Sequence, residues 1–307
     1  MIVVTGAAGF IGSNLVKALN NIGITDIIAI DNLENGLKIH NLSNCIVTDF
    51  LDVNDLVSLN DFSFTHIFHL GACSATDEWN GKFLLENNFK FSKNILNIAL
   101  KKSAKFIYAS SASVYGLGKN GFKELPECEQ PINAYAYSKK LFDDYVRLRY
   151  NNQNNIFGLR YFNVYGANES HKKHMASPVH KFHDQLLNFG EISLFSSTQM
   201  VRSEHFLRDF VSVDDCVKVK LHLMNYDGPQ SIFNVGTGTT ASFEHIAQEL
   251  IKLNESGKIR YIDFPEKLLD SYQFYTCADI TLLREIGYKD DFMSVEMGVK
   301  KFVDGEK

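Results

Sequence analysis

Three side chains of this sequence have the types and the spacing that proton transfer requires. Tyr135 precedes Lys139 by four residues, so one helical turn would place a phenol beside an ammonium group. Ser111 lies upstream in a hydroxyl-rich run, residues 108–116. A phenol has a pKa of about 10, and a neighbouring ammonium favours the phenolate. We therefore expect Tyr135 to act as a general base, Lys139 to lower its pKa, and Ser111 to hydrogen-bond a carbonyl oxygen as it forms.

The spacing of Tyr135 and Lys139 is uninformative when it is taken alone. The chain has 13 tyrosines and 31 lysines and arginines in 307 residues, which gives about one such pair by chance. Tyr137 is a competing phenol, but it lies two residues from Lys139 and therefore on another side of a helix. The significance of the pair comes from the elements that carry it.

Short β-branched runs alternate with helical patterns and predict the frame that positions these residues. The runs are residues 2–5, 27–30, 45–48, 66–70, 105–109 and 156–160. Such alternation is typical of a parallel sheet in an α/β fold. Ser111 follows the strand at 105–109, at the carboxyl edge where open α/β sheets bind ligands.

The first turn of this frame has the sequence of a dinucleotide site. Gly6, Gly9 and Gly12 stand between the first strand and a helical pattern at residues 10–21, which Gly23 can end. Glycines allow a tight turn and let a pyrophosphate approach the free N–H groups of the helix. We therefore expect a doubly wound parallel sheet, of the Rossmann type, that binds NAD or NADP.

The second strand ends at Asp31, where a carboxylate usually accepts hydrogen bonds from the ribose 2′-OH of NAD. Asn32 follows it, and Lys38 lies seven residues on, close enough to meet the 2′-phosphate of NADP. Without further information, a solvated loop lysine is the simpler interpretation of Lys38. These residues leave the choice between NAD and NADP open.

The domain organisation follows from where the alternation stops. We expect residues 1–166 to form the dinucleotide-binding domain and residues 167–307 to form a smaller C-terminal α/β lobe for the substrate. A helical pattern at 208–223 and a strand at 232–235 indicate that residues 208–236 return to the first domain. The two regions would then be interleaved in sequence.

Composition excludes several other classes. A net charge of −5 and a pI near 6.1 argue against nucleic acid as a partner. The 5 cysteines contain no C-x-x-C pair, so we expect free thiols, no metal site and a reducing, cytoplasmic location. No apolar run approaches the roughly 18 residues of a membrane span, and no leader segment is indicated.

Taken together, the glycine turn, Ser111 and the Tyr135–Lys139 pair resemble the extended short-chain dehydrogenase/reductase superfamily. Further marks are the segment 69–72 at a strand end, Asn87 opening a helix, and the segment 160–166 at another strand end. The resemblance implies that Lys139 also holds the nicotinamide ribose, and that Asn163 meets the diphosphate of a substrate.

A narrower resemblance is to the ADP-glycero-manno-heptose 6-epimerase family. It rests on Gly-Ala-Cys-Ser-Ala-Thr-Asp-Glu-Trp at 71–79, on His-Lys-Lys-His-Met-Ala-Ser at 171–177 and on Arg-Asp-Phe-Val at 208–211. The family implies an isomerase that inverts an exocyclic carbon of a nucleotide sugar, with NADP as the usual cofactor, Lys172 as a second catalytic base and a pentameric homo-oligomer. Without it, a solvated pair in a polar loop is the simpler interpretation of Lys172 and Lys173.

The resemblance implies two sets of ligand contacts. Those to the cofactor involve Gly6, Gly9, Phe10, Ile11, Gly12, Asp31, Asn32, Lys38, Leu70, Gly71, Ala72, Cys73, Ser74, Asn87, Tyr135, Lys139, Val164 and Lys172. Those to the substrate involve Ser111, Asn163, His174, Lys181, Phe195, Ser196, Ser197, Thr198, Arg208 and Tyr272.

Two departures and two alternatives accompany this assignment. The family commonly has Gly-Ser where this chain has Lys173 and His174, and Phe-Glu-Gly-Ser where this chain has residues 195–198. One alternative is another nucleotide-sugar enzyme of the superfamily, such as a UDP-sugar 4-epimerase. The other is a non-catalytic NAD(P)-binding regulator, which would be expected to lose Tyr135 or Lys139.

Overall fold

The computed structural model describes residues 1–151, 154–198, 201–229, 231–269 and 272–306. The strands are β1 (Ile2–Thr5), β2 (Ile27–Asp31), β3 (Asp49–Asp52), β4 (His66–His69), β5 (Lys105–Ser111), β6 (Ile156–Tyr161), β7 (Asn163–Tyr165), β8 (Glu191–Phe195), β9 (Leu207–Arg208), β10 (Phe210–Ser212), β11 (Ser231–Val235), β12 (Ala241–Ser242) and β13 (Lys258–Ile262). The helices are α1 (Phe10–Asn21), α2 (Ile39–Leu42), α3 (Gly81–Leu84), α4 (Phe91–Lys101), α5 (Ala134–Tyr150), α6 (Pro178–Phe189), α7 (Val213–Met224), α8 (Phe243–Asn254), α9 (Thr281–Glu285) and α10 (Val295–Glu306).

The main sheet has seven strands in the order β11-β6-β5-β4-β1-β2-β3. The pairs β1–β2, β1–β4, β2–β3 and β4–β5 are parallel. All residues of β1 and β2 are buried, as expected of strands that carry helices on both faces. The expected α/β fold with a doubly wound parallel sheet is confirmed.

The chain divides into two compact units by packing. The first comprises Met1–Val114, Asn133–Arg160 and Val217–Phe233, and the second comprises Tyr115–Ile132, Tyr161–Cys216 and Asn234–Lys307. The functional boundary at residue 166 stays a prediction, because these units are defined by contacts and not by ligands.

Each unit has its own apolar core. The core of the first unit includes Val3, Ile67 and Phe106 from the sheet, with Phe142 from α5 packed on them. The second unit has three two-stranded sheets, in which β8 pairs with β13, β7 with β10, and β9 with β12. The side chains of α6, α8 and α10 pack against this second unit's strands in one apolar cluster.

Three expected elements differ in the structure. Residues 45–48 are not a strand; the edge strand begins at Asp49, because its register with β2 pairs Ile28 with Asp49. The helix expected at 208–223 begins only at Val213, since residues 207–212 form β9 and β10. Asn87 does not open a helix, because α3 already begins at Gly81, and a π-helical turn (Leu85–Lys90) joins α3 to α4.

No helix in the described part of the chain is long and apolar enough to cross a membrane.

Candidate active site

The glycine turn between β1 and α1 leaves no room for side chains. Gly6 has a φ of +66°, and a Cβ there would lie 2.6 Å from the backbone nitrogen of Gly71. A Cβ on Gly12 would lie 2.0 Å from the carbonyl oxygen of Gly6. The N-cap residue Gly9 makes no side-chain hydrogen bond to α1, as is typical of a helix N-terminus that binds a pyrophosphate.

A cavity of about 800 Å³ opens in the first unit beside this turn. The predicted cofactor contacts that line it are Gly6, Asp31, Asn32, Lys38, Gly71, Ala72, Cys73 and Asn87. Its size, its glycine wall and the uncapped helix end fit a dinucleotide. Phe10 lies buried on α1 and Ser74 is exposed, and the cavity lining includes neither of them, nor Ile11 or Leu70.

The carboxylate of Asp31 is held from several sides. Its Oδ2 accepts a hydrogen bond from the backbone N–H of Ala8 at 2.8 Å, and its Oδ1 accepts one from that of Asn32 at 2.7 Å. The Lys38 ammonium lies 2.9 Å from the same Oδ1 and 2.8 Å from the carbonyl oxygen of Asn32. Lys38 therefore places a positive charge beside Asp31, the position where either the ribose 2′-OH of NAD or the 2′-phosphate of NADP is expected.

A buried hydrogen-bond chain, which sequence analysis missed, supports the turn at Gly71. The Gly71 N–H donates to Thr5 Oγ1 at 3.1 Å, and Thr5 Oγ1 lies 2.7 Å from His69 Nδ1. On the other side, His69 Nε2 lies 2.7 Å from Ser92 Oγ, which donates to the carbonyl of Asn88. Because the Ser92 hydroxyl donates to Asn88, it accepts from His69, which places a proton on Nε2. Burial lowers the pKa of His69 to about 3, so the ring is neutral and its Nδ1 accepts from Thr5.

Asn88, rather than the exposed Asn87, makes the structural link to the catalytic helix. Its amide accepts a hydrogen bond from the Cys73 N–H at 2.8 Å and donates to the Cys73 carbonyl at 3.0 Å. The same amide donates to Ser138 Oγ, which donates to the carbonyl of Tyr135. The sequence offers no signal that separates Asn88 from the adjacent Asn87.

Ser111, Tyr135 and Lys139 come together in the first unit, from the end of β5 and the first turns of α5. Asn133 begins that helix, because its side chain accepts a hydrogen bond from the Ala136 N–H at 2.7 Å. Ser111 and Tyr135 share a hydrogen bond. The Lys139 ammonium donates to the carbonyl of Ala109 at 2.9 Å.

Burial is the largest influence on the pKa values of both Tyr135 and Lys139. Burial raises the pKa of Tyr135, and the hydrogen bond from Ser111 opposes that rise. Burial also lowers the pKa of Lys139 to about 8. Burial therefore dominates the pKa of Tyr135 in the polypeptide, and the expectation that Lys139 lowers this pKa stays a prediction.

Asp143 anchors the catalytic helix one turn beyond Lys139. Its carboxylate accepts hydrogen bonds from Tyr108 at 3.0 Å and Ser110 at 2.8 Å. It also forms an ion pair with Arg160 at 2.9 Å, and both side chains are fully buried. Asp143 thus ties α5 to β5 and β6, and its charge raises the pKa of Lys139.

The second unit contains a separate cavity of about 360 Å³ with mostly apolar walls. Among the predicted substrate contacts, Lys181, Phe195 and Tyr272 line it. Tyr272 packs with Phe195 and Phe206, so it is not an exposed loop tyrosine. Phe206 also lines this cavity and was missed from the sequence.

Arg208 lies at the edge of this aromatic group. Its side chain is 6% exposed, and its guanidinium stands 5.1 Å from the ring of Tyr272 and 5.7 Å from that of Phe243. Among the described residues it has no carboxylate partner, and burial lowers its pKa to about 10. A buried guanidinium of this kind is suited to bind an anionic group.

The remaining predicted residues of the second unit lie in loops and strand ends. Lys172 is half-buried in a 3-10 turn (Ser170–Met175), whereas Lys173 and His174 are exposed. Burial lowers the pKa of Lys172, and the buried Glu169 opposes that effect. The others are Asn163 and Val164 in β7, and Ser196, Ser197 and Thr198 after β8.

Comparison with known proteins identifies the family to which this fold belongs. Residues 2–236 match the NAD dependent epimerase/dehydratase family. The chain belongs to this family. Its expected character as an epimerase is thereby confirmed, and a nicotinamide dinucleotide is the cofactor of the family.

Individual relatives narrow the assignment. A protein of Alkalilimnicola ehrlichii named ADP-L-glycero-D-manno-heptose-6-epimerase is 44% identical over 310 residues, which cover 99% of this chain and 97% of that protein. The solved structure of the Helicobacter pylori enzyme of the same name is 30% identical, with a TM-score of 0.85, and the match covers 99% of this chain and 95% of that one. The resemblance to the heptose 6-epimerases is therefore confirmed.

The fold also matches an epimerase of different specificity. A UDP-glucose 4-epimerase of Thermotoga maritima, solved with UDP-glucose, is 26% identical with a TM-score of 0.82, over 99% of this chain and 97% of that one. Backbone similarity by itself therefore does not decide which sugar is bound.

Proposed function

We propose that this protein inverts carbon 6 of the heptose in ADP-D-glycero-D-manno-heptose, giving the L-glycero form, by transient oxidation and re-reduction with bound NADP. The observation that carries the redox part is the group of buried Tyr135, buried Lys139 and half-buried Ser111 in the unit that holds the glycine turn. The sugar and the nucleotide are proposed from the 44% identity over nearly the whole chain.

A bound nicotinamide would supply the hydride acceptor and the hydride donor of this reaction. Tyr135 removes the hydroxyl proton as the hydride leaves, and Ser111 donates a hydrogen bond to the oxygen that becomes the carbonyl. Since burial raises the pKa of Tyr135, the phenolate needs positive charge beside it. The protonated Lys139 supplies part of that charge below its pKa of about 8.

Lys172 is proposed as a second base for the opposite orientation of the carbonyl. Oxidation at carbon 6 gives a ketone outside the ring, which can turn about the bond to the ring so that hydride returns to its other face. In one direction Tyr135 takes the hydroxyl proton and Lys172 donates a proton to the re-formed alkoxide, and in the reverse direction these roles exchange. The half-buried position of Lys172 and the lowering of its pKa by burial support this role.

The nucleotide of the substrate is proposed to bind in the second unit. Arg208 would clamp the diphosphate with its planar guanidinium, and the nucleoside would lie in the cavity lined by Phe195 and Tyr272. The first unit would bind the cofactor, as the division at residue 166 implies.

NADP is proposed over NAD because of Lys38. Both oxygens of Asp31 already accept hydrogen bonds, and the Lys38 ammonium lies 2.9 Å from one of them. A neutralised carboxylate next to an ammonium suits a 2′-phosphate better than a ribose hydroxyl. By resemblance we also propose a cytoplasmic homo-oligomer, a pentamer.

The test has two parts. Mass spectrometry of the denatured protein identifies the dinucleotide that it carries; NADP is expected, and a Lys38→Glu variant should retain less of it. The protein is then incubated separately with ADP-heptose and with UDP-glucose while proton spectra follow the sugar carbons. Interconversion at carbon 6 of the heptose supports the proposal, and interconversion of UDP-glucose alone supports the 4-epimerase alternative.

Variants of the proposed bases test whether the protein is an enzyme or a non-catalytic regulator. Tyr135→Phe and Lys172→Met should each abolish interconversion, whereas Lys173→Met, at the exposed neighbour, should retain it. Undiminished activity of Lys172→Met would remove Lys172 from the mechanism. A wild-type protein that binds NADP but converts neither sugar would be a regulator.

A further inference from the structure

One buried carboxylate closes the loop that carries Lys172. Glu169 is 1% exposed. Its Oε1 accepts a hydrogen bond from the Gly166 N–H at 3.0 Å, at the start of the loop. At the end of the loop, the N–H of Ser177 donates to Oε2 at 2.6 Å and its hydroxyl donates to Oε1 at 2.8 Å. The two ends of residues 166–177 are therefore joined through a single side chain.

The backbone between these ends has conformations that need such support. Asn168 has a φ of +73° and Lys173 has a φ of +52° with a ψ of −123°. Residues other than glycine adopt positive φ only when the surrounding contacts hold them there. Lys172 stands directly before one of these residues, so the direction of its side chain depends on the shape of the loop.

The carboxyl group of Glu169 acts as an anion in this arrangement. Three donors point at its two oxygens, and a protonated carboxyl would bring its own O–H among them. Burial raises the pKa of Glu169, whereas Lys172 and these hydrogen bonds lower it.

The charged groups that act on Lys172 include Glu169 from its own loop and Lys181 from α6. Burial lowers the pKa of Lys172 first; Glu169 raises it and Lys181 lowers it further. The negative charge of Glu169 therefore opposes the effect of burial and keeps a larger fraction of Lys172 protonated at a given pH.

We propose that Glu169 is the positioning residue for Lys172, closing the 166–177 loop around it and balancing its charge. The inference rests on the proposed role of Lys172 as a base, but its geometry and charge effects are measurable without catalysis. Glu169 does not touch the reacting atoms; it acts through Lys172.

Two substitutions separate the effect of the charge of Glu169 from the effect of its side-chain length. Glu169→Gln removes the charge and keeps the length, although its amide nitrogen must then face one donor. Glu169→Asp keeps the charge but is one methylene too short to join both ends. The holoenzyme is labelled with trace acetic anhydride over a range of pH, and peptide mass spectrometry reports the amine reactivity of Lys172 and of the adjacent exposed Lys173.

The expected result is specific to one lysine. In Glu169→Gln the titration midpoint of Lys172 should fall by about one pH unit or more, because a nearby opposite charge is lost. Lys173 should titrate as in the wild type. In Glu169→Asp the midpoint should stay, while backbone hydrogen exchange of residues 166–177 becomes faster.

Activity gives the second readout. Both variants should lower kcat by about tenfold or more through a misplaced Lys172, with little change in KM, since Arg208 and Tyr272 are untouched. A Lys172 midpoint that stays constant in Glu169→Gln, together with unchanged loop exchange in Glu169→Asp, would overturn the inference. If the midpoint moves but no form of the protein acts on ADP-heptose, the proposed function fails and the assignment of Glu169 to Lys172 stands.

Discussion

The buried His69 should make the free energy of unfolding of this protein depend on pH. Its pKa is lowered from 6.5 to about 3 by burial, and secondly by the charge of Lys139. The unfolded chain binds a proton at this histidine below pH 6.5, whereas the folded protein binds one only near pH 3. The stabilising contribution is therefore complete above pH 6.5 and is lost as the pH falls towards 3.

The magnitude follows from the width of this window. Each pH unit within it costs about 1.4 kcal/mol, so the full loss is on the order of 5 kcal/mol. A His69→Gln variant does not titrate, but it loses one of the hydrogen bonds to Thr5 and Ser92, which costs about 2 kcal/mol at neutral pH. The variant should be the less stable protein at pH 7.5 and the more stable one at pH 4, with a crossing near about pH 5.

Urea unfolding at a series of pH values from 7.5 to 4 measures this directly. His40→Gln is the control, because His40 is exposed. The free energy of unfolding of this variant should follow that of the wild type at every pH. Parallel curves for wild type and His69→Gln across this range would refute the assignment of a neutral, buried His69.

Other substitutions test the contacts around the site. Asp143→Asn should lower the free energy of unfolding by about 3 to 5 kcal/mol, because it removes one side of a fully buried ion pair with Arg160. A loss below about 1 kcal/mol in urea unfolding would contradict this. Lys105→Met should lower the free energy of unfolding by about 2 to 3 kcal/mol in the same assay, because the Lys105 ammonium donates to three carbonyls at the end of α7. The control Lys101→Met, on the exposed surface of α4, should leave that free energy nearly unchanged. Gly12→Ala should remove most of the dinucleotide measured by mass spectrometry, because its Cβ would lie 2.0 Å from a carbonyl oxygen, while Gly81→Ala, which has open space, should keep it.

The sequence by itself determined the features that depend on local spacing. The helix at 10–21 and the strand at 2–5 have the expected bounds, and Gly23 follows the helix with a φ of +84°. Glycine positions and apolar periodicity report local backbone geometry, which is set by neighbours within a few residues.

Only the tertiary structure decided the partners of the buried polar groups. Asn88 meets Ser138, which lies 50 residues away, and Asp143 meets Tyr108 at a separation of 35. Nothing in the local pattern distinguishes Asn88 from Asn87, or marks Glu169 as a residue that joins two ends of a loop. Such pairings arise when distant segments pack and bury groups that must then find partners. The direction in which burial moves the pKa of Tyr135 depends on the same packing, because hydration is lost only when the fold closes over the phenol.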